Sequence, residues 1–267
     1  MDASRDGTAD AAGGVAGVRV LRRDPGRLVP QLWLDGILAT DAPLVALSTA
    51  AMVPAPGWLD AMFSTLEATG AAGVGGPIEP AEALGPFERA VYLHRYGRYH
   101  RPFGSQIPEP PGDNALYRRE AIAALNLASD EGFWEVEAHR SFHRTGRTLA
   151  MAAEGVVHYQ GRTRASGFLA QRFRHGARFG SQRSVHRTRA GRWVRLATSP
   201  AVPALLTGRA LKGVLARGAP VGPWLSATPW LALLGGVWAA GEAFGMCFGN
   251  VNPRARRREA LQIEGVT

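Results

Sequence analysis

Residues 218–241 form an apolar run without a charged side chain, and only Glu242 interrupts it before Arg254. A helix needs about 20 consecutive apolar residues to cross a bilayer, so this run is long enough to span one. Three tryptophans suited to membrane interfaces lie within it: Trp224, Trp230 and Trp238. We therefore expect residues 196–253 to form apolar, membrane-associated helices. The alternative is a buried helical hairpin of a soluble protein.

Positive charge is concentrated on both sides of this apolar part. The formal net charge is +9, and Lys212 is the only lysine, so nearly all of the positive charge is arginine. Arginines crowd residues 162–195 and the tail at 254–267. We interpret residues 162–195 as a basic amphipathic interface segment with a helix over residues 168–183. This distribution predicts a cytoplasmic membrane face. A nucleic-acid surface is the competing interpretation, but no recognised module supports it, so we expect no nucleic-acid partner.

Three further sequence features bear on the membrane segment, on disulfide or zinc sites, and on secretion. Arg209 and Lys212 interrupt the stretch 196–215, which favours an interfacial or re-entrant helix over a spanning one. Cys247 is the only cysteine, which excludes an intramolecular disulfide framework and a cysteine zinc site. Residues 1–14 lack an apolar core after a basic start, so we expect no secretory signal.

The first part of the chain alternates between two hydrophobic periodicities. A period of two or a short buried run predicts strands over residues 18–21, 44–47, 72–78 and 148–159. Helical spacing predicts helices over residues 30–40, 58–69 and 134–145, and a strand-turn-helix over 113–125. This alternation predicts an α/β domain over residues 1–161 with a mostly parallel sheet.

Four segments carry a recognisable pattern: DASRDGT at 2–8, LSTAAMVPAPGWL at 47–59, GDNALYRREAI at 112–122, and GFWEVE at 132–137 followed by Gly146. In this order they resemble glycosyltransferase family 2, whose GT-A domain is partly Rossmann-like. The resemblance extends to about residue 250. It implies transfer, with inversion, of a sugar from a nucleotide-diphosphate donor to a lipid or glycan acceptor at the cytoplasmic side of the cell membrane. Such transfer serves the synthesis of envelope polysaccharides or glycolipids.

The resemblance assigns the donor side of the site to Asp2, Ser48 and Ala50. In the family an acidic residue at the position of Asp2 holds the nucleotide, and a D-x-D cluster binds a metal where Ser48, Thr49 and Ala50 stand here. Divalent cations prefer anionic oxygen ligands, and these side chains offer none. We therefore expect no tight protein-bound metal, with any Mg²⁺ or Mn²⁺ held mainly by the donor diphosphate. Cationic side chains in place of the metal, or loss of transfer, are the alternatives.

The segment at 132–137 aligns with the helix that carries the family's general base, and the spacing to Gly146 places Glu135 on the catalytic position. A carboxylate there would take the proton from the acceptor hydroxyl. Asp130 and Glu137 are the next candidates. The simpler interpretation is an acid favoured at a helix start by the helix dipole.

The acceptor side of the site follows from two further segments. The family's pocket-lining motif assigns Asp113, Asn114, Arg118 and Arg119 to the place where donor and acceptor meet. Residues 171–175, QRFRH, resemble the Q-x-x-R-W signature of processive members with histidine in place of tryptophan. That signature assigns Gln171 and Arg174 to the acceptor and the diphosphate. A basic amphipathic helix is the simpler explanation of the same residues.

Met1 aligns with the end of the family's second strand. The resemblance therefore implies either a start that is placed too late or a naturally shortened domain, and low activity for a chain that begins at Met1. The alternative function is a non-catalytic, membrane-bound GT-A relative that binds a glycan or a protein.

Overall fold

The computed structural model describes residues 7–23, 29–102, 109–127, 132–161, 163–185, 189–216 and 222–248. The helices are α1 Thr8–Gly13, α2 Val29–Leu38, α3 Trp58–Thr69, α4 Pro86–Arg95, α5 Arg119–Ala123, α6 Glu135–Arg144, α7 Ala165–Val185, α8 Arg189–Thr198, α9 Val202–Ala216, α10 Gly222–Leu225 and α11 Thr228–Phe248. The strands are β1 Leu44–Ser48, β2 Met52–Pro54, β3 Gly73–Gly75, β4 Ile78–Pro80, β5 Asn114–Arg118, β6 Leu149–Met151 and β7 Val157–Tyr159. The architecture is α/β, as predicted.

Helices α2, α3, α6 and α7 correspond to the four helices that the periodicity predicts. Helix α3 has the predicted bounds, because Gly57 and Gly70 flank it with positive φ angles of 75° and 62°. The strand-turn-helix expected over residues 113–125 is β5 followed at once by α5. These elements are specified locally, by hydrophobic spacing and by turn residues at their ends.

The strands form two mixed sheets, so the prediction of a mostly parallel sheet is wrong for the described strands. The first sheet has the order β1-β5-β3-β6 and the second the order β2-β7-β4. Strand β5 lies between β1 and β3 and is antiparallel to both, and β2 is antiparallel to β7. Only β3 with β6 and β4 with β7 are parallel. The alternation of strands and helices along the sequence does not determine which strands become neighbours. It therefore could not predict that β5 pairs antiparallel with β1 and β3.

Two predicted strands each divide into two, and a third does not form. The stretch 72–78 becomes β3 and β4 because Gly76-Pro77 carries the chain from the first sheet to the second, and proline cannot donate a ladder hydrogen bond. The stretch 148–159 divides in the same way into β6 and β7. Residues 18–21 lie in no strand, and Val18 is exposed. Alternating side chains alone do not supply a partner strand.

The C-terminal helices pack at unusually close range through glycine. A Cβ atom at Gly245 of α11 would lie 1.8 Å from the carbonyl oxygen of Ala177 in α7, and one at Gly180 would lie 2.0 Å from the carbonyl oxygen of Glu242. Neither position has room for a side chain. Small residues that bring two helix backbones together are frequent in membrane proteins, although this packing also occurs in soluble proteins.

Helix α11 is the one described helix whose length and apolar composition would suffice to cross a membrane. It buries one face against α7, whereas Leu233, Phe244 and Phe248 are exposed. Buried core helices of soluble proteins can meet the same criteria of length and composition. The structure therefore contains an apolar C-terminal helix, and its position in a membrane stays a prediction.

Candidate active site

The site is built around the end of β1, where the resemblance places the donor. Ser48, the last residue of β1, lies opposite Asn114, the first residue of β5. The indole Nε1 of Trp33, on α2, donates a hydrogen bond to the backbone oxygen of Ser48 at 3.0 Å. Ala50 follows in an exposed turn. The end of β1 thus meets the start of β5 beside an aromatic side chain.

Asn114 anchors this junction. Its side chain is 0% exposed, and its Nδ2 donates to the carbonyl oxygens of Pro77 and Gly155 at 2.9 and 2.8 Å. Its Oδ1 accepts a hydrogen bond from the indole of Trp58 at 2.7 Å. Buried amides are tolerated when their hydrogen bonds are satisfied, as they are here. Asn114 therefore fixes the position of its neighbour Asp113.

Glu135 begins α6 and reaches back towards β5. A Cβ atom at Gly112 would lie 2.8 Å from the carboxyl carbon of Glu135 and 3.1 Å from the Trp33 ring. Glycine at this position leaves the space that the carboxyl group occupies. The structure therefore brings together Ser48, Asp113, Asn114 and Glu135, which sequence reasoning placed in the site from three separate motifs.

The charge of Asp113 acts on the carboxyl group of Glu135. Burial of the carboxyl group, together with the like charge of Asp113, raises the pKa of Glu135 to about 7, although its own backbone hydrogen bond and the nearby Arg98 and Arg95 oppose the rise. Asp113 accepts a hydrogen bond from the hydroxyl of Tyr96 at 2.5 Å. A carboxyl group with a pKa near neutrality can both accept and release a proton at physiological pH.

Sequence reasoning missed the cationic side of the site. Arg95 lies with its guanidinium 5.2 Å from the centre of the Tyr96 ring, and Arg98 lies 4.6 Å from that of Tyr99. Both arginines are exposed, while the two tyrosines beneath them are buried. The doublet Arg-Tyr, repeated three residues apart in the sequence, is the signal that could have identified them.

One turn along α6 from Glu135, the buried His139 is hydrogen-bonded to two other side chains. The Nδ1 atom of His139 lies 3.2 Å from Oε2 of Glu109, and its Nε2 lies 2.7 Å from the hydroxyl of Tyr117. Burial lowers the pKa of His139, against the attraction of Glu109. With a neutral imidazole that donates through Nδ1, the Tyr117 hydroxyl donates to Nε2. These hydrogen bonds hold α6 against β5. The sequence analysis did not identify them.

Arg118 and Arg119 do not reach this site. Arg118 ends β5 at the edge away from Asn114, about 14 Å along the strand at about 3.4 Å per residue. It pairs with Glu67 at 2.8 Å, and Arg119 donates to the backbone oxygen of Ile37 at 2.9 Å. Their hydrogen bonds to neighbouring elements indicate a structural role. The pattern could not reveal this, because it gives order along the chain and not the direction of each side chain.

The other predicted residues are more distant or lie outside the described residues. Gln171 and Arg174 are exposed on α7, and Glu137 is exposed in the first turn of α6. Asp2 and Asp130 lie outside the described residues. Within the described ranges, no group of three or more His, Cys, Asp or Glu side chains could hold a metal ion.

Among the described residues, Asp113 and Glu135 are the carboxylates at the site, and both Ser48 and Ala50 are electrically neutral. These residues offer a cation two carboxylates, fewer than a tight divalent site uses. Glu135, with a pKa of about 7, can exchange a proton here, beside the exposed Arg95 and Arg98. Neither a comparison with protein-family models nor one with curated proteins finds a match to this chain.

Proposed function

We propose that this chain is a glycosyltransferase with a GT-A-like domain that transfers a sugar, with inversion, from a nucleotide-diphosphate donor to a lipid or glycan acceptor. The observation that carries the proposal is the position of Glu135. Its carboxyl group, with a pKa of about 7, lies in contact with Gly112 and next to Asp113, near the end of β1. Three of the four motifs that suggest the family contribute residues to this one place.

In the proposed reaction, Glu135 acts as the general base. Its carboxylate takes the proton of the acceptor hydroxyl while that oxygen forms a bond to the anomeric carbon of the donor sugar. The bond from the anomeric carbon to the diphosphate breaks with its electron pair, and the nucleoside diphosphate leaves. A base whose pKa lies near the working pH is close to the optimum for such a step.

The departing diphosphate needs positive charge. Arg95 and Arg98 supply it in this proposal, since both are exposed and both act electrostatically on Glu135. Arginine forms two parallel hydrogen bonds to phosphate oxygens, which makes it a suitable partner for this group. Any Mg²⁺ or Mn²⁺ would be carried mainly by the diphosphate. Arg118 and Arg119, held at the far end of β5, have no part in this step.

The membrane location is part of the same proposal. Helix α11 and its exposed leucine and phenylalanine side chains support attachment, and the basic α7 would face the cytoplasmic headgroups. A lipid or a membrane-held glycan is then the acceptor within reach of the site.

The proposal is tested by transfer of radiolabelled sugar from a panel of nucleotide-sugar donors to a membrane extract. Glu135→Gln should lower the turnover by about 10²–10⁴-fold and leave donor binding intact. Glu120→Gln, an exposed acid on α5, is the matched control and should retain activity. Activity in Glu135→Gln equal to that of the wild type would refute the assignment. A loss confined to Glu137→Gln would move the base to that residue.

A non-catalytic glycan- or protein-binding role is the second candidate. The neutral residues at the end of β1, Ser48 and Ala50, favour it, because they do not supply the carboxylates that a catalytic metal prefers. Saturable glycan binding without transfer of any donor sugar would support this candidate.

A further inference from the structure

Among the described side chains of α7, the buried face of the helix carries one charged residue. Phe168, Arg172, Gly176 and Gly180 follow at intervals of four, so they share one face of the helix, and all four are buried. Arg172 is only 5% exposed. The other three positions are apolar or small, as expected where a helix packs on its neighbours. A guanidinium at the second position is the exception.

The neighbouring residue on α4 is His94. Its ring packs edge-on against Phe168, with ring centres 6.5 Å apart, and Arg172 lies one helical turn beyond Phe168. The Nε atom of Arg172 and the Nε2 atom of His94 are buried without a hydrogen-bond partner among the described residues. Both atoms therefore lack the hydrogen bond that buried polar atoms normally make.

The charged groups that act on His94 are positive. Burial, and then Arg172, Arg95 and His175, lower the pKa of His94 to about 3, so its imidazole is neutral at physiological pH. Burial lowers the pKa of Arg172 to about 10, which leaves it positively charged there. Among the described residues, no carboxylate contributes to either pKa. A buried charged group with a donor atom left without a hydrogen bond is costly, so such groups are normally found with a counter-ion.

We propose that Arg172 and His94, at the junction of α4 and α7, form a binding site for a phosphate group. The Nε–H of the guanidinium and the neutral imidazole each offer a donor, and the positive charge of Arg172 favours an anion. The phosphate belongs either to a soluble molecule or to a lipid headgroup. The site does not depend on sugar transfer and needs no nucleotide donor.

The test uses the full chain in an uncharged detergent and a buffer free of phosphate and sulfate. One arm titrates inorganic phosphate by calorimetry, and the other measures binding to nanodiscs of a neutral lipid with or without phosphatidic acid. The wild type should bind saturably in at least one arm. Arg172→Gln and His94→Phe should weaken that binding at least about tenfold, since each removes a donor to a charged group. Arg164→Gln, at an exposed arginine just before α7, is the matched control and should bind as the wild type does.

Binding only in the first arm would support the site with a soluble phosphate as its source, and binding only to phosphatidic acid would support a lipid headgroup. No saturable binding in either arm, or equal weakening by Arg164→Gln, would overturn the proposal. Arg172→Met tests it if the glutamine variant fails to fold, because methionine removes the charge and keeps the packing. Phosphate should raise the melting temperature of the wild type but not that of Arg172→Met. An equal rise in both would also overturn the proposal.

Discussion

Glu135→Gln should stabilise the fold at alkaline pH, although it removes the proposed base. Burial and the like charge of Asp113 raise the pKa of Glu135 from its ordinary value of 4.5 to about 7. Between these values the folded chain holds a proton on this carboxyl group that the unfolded chain has released. Its contribution to the free energy of unfolding is therefore fully present below pH 4.5 and is lost as the pH rises through 7.

The magnitude follows from the same values. A rise from 4.5 to about 7, at about 1.4 kcal/mol per pH unit, corresponds to about 3 kcal/mol. This is an upper limit, because Glu135 is only partly buried and solvent screens part of the repulsion. Glutamine is neutral at every pH, so the variant should match the wild type near pH 4 and exceed its stability by up to about 3 kcal/mol at pH 8.

The measurement is urea unfolding in detergent at several pH values from 4 to 8, followed by tryptophan fluorescence. Glu120→Gln controls for the loss of an exposed carboxylate on α5. A carbon NMR titration of Glu135 gives its pKa directly and should show a midpoint near 7. If the stability difference between Glu135→Gln and the wild type does not change with pH, or if the midpoint lies near 4.5, the argument about this carboxyl group is refuted.

Two further substitutions test the packing around the site and in the helical tail. Asn114→Leu should lower the free energy of unfolding by about 3–9 kcal/mol in urea, because three hydrogen-bond partners lose their bond at about 1–3 kcal/mol each. A loss under about 1 kcal/mol would contradict this. Gly245→Ala should cost about 1–3 kcal/mol in thermal unfolding, because its Cβ atom would overlap the Ala177 oxygen. Gly208→Ala, with open space around it, should be neutral or stabilising by about 0.4–1 kcal/mol, and equal melting temperatures for the two variants would argue against close packing of α7 and α11.

The residues of the candidate site were partly predictable. Glu135, Asp113 and Asn114 carry recognisable spacing, and the fold brings them together with Ser48. Arg95 and Arg98 were not predicted, because a charged residue near a helix end is usually a solvated surface group. Their role follows from the folded structure. Tyr96, beneath Arg95, donates a hydrogen bond to Asp113, and both arginines act electrostatically on Glu135.

Elements with local causes follow from the amino-acid order alone. Hydrophobic spacing and flanking glycines determine α3, and the apolar run determines the helix at α11. These features depend on neighbours a few residues away, so the amino-acid order contains them.

Features that depend on long-range contacts are visible only in the folded chain. Strand β5 lies antiparallel between β1 and β3, Arg118 is held away from the site, and Arg172 is buried near His94. A strand's partner and the direction of a side chain depend on which surfaces pack together. Residues far apart in the chain determine that packing, and a local pattern does not contain it.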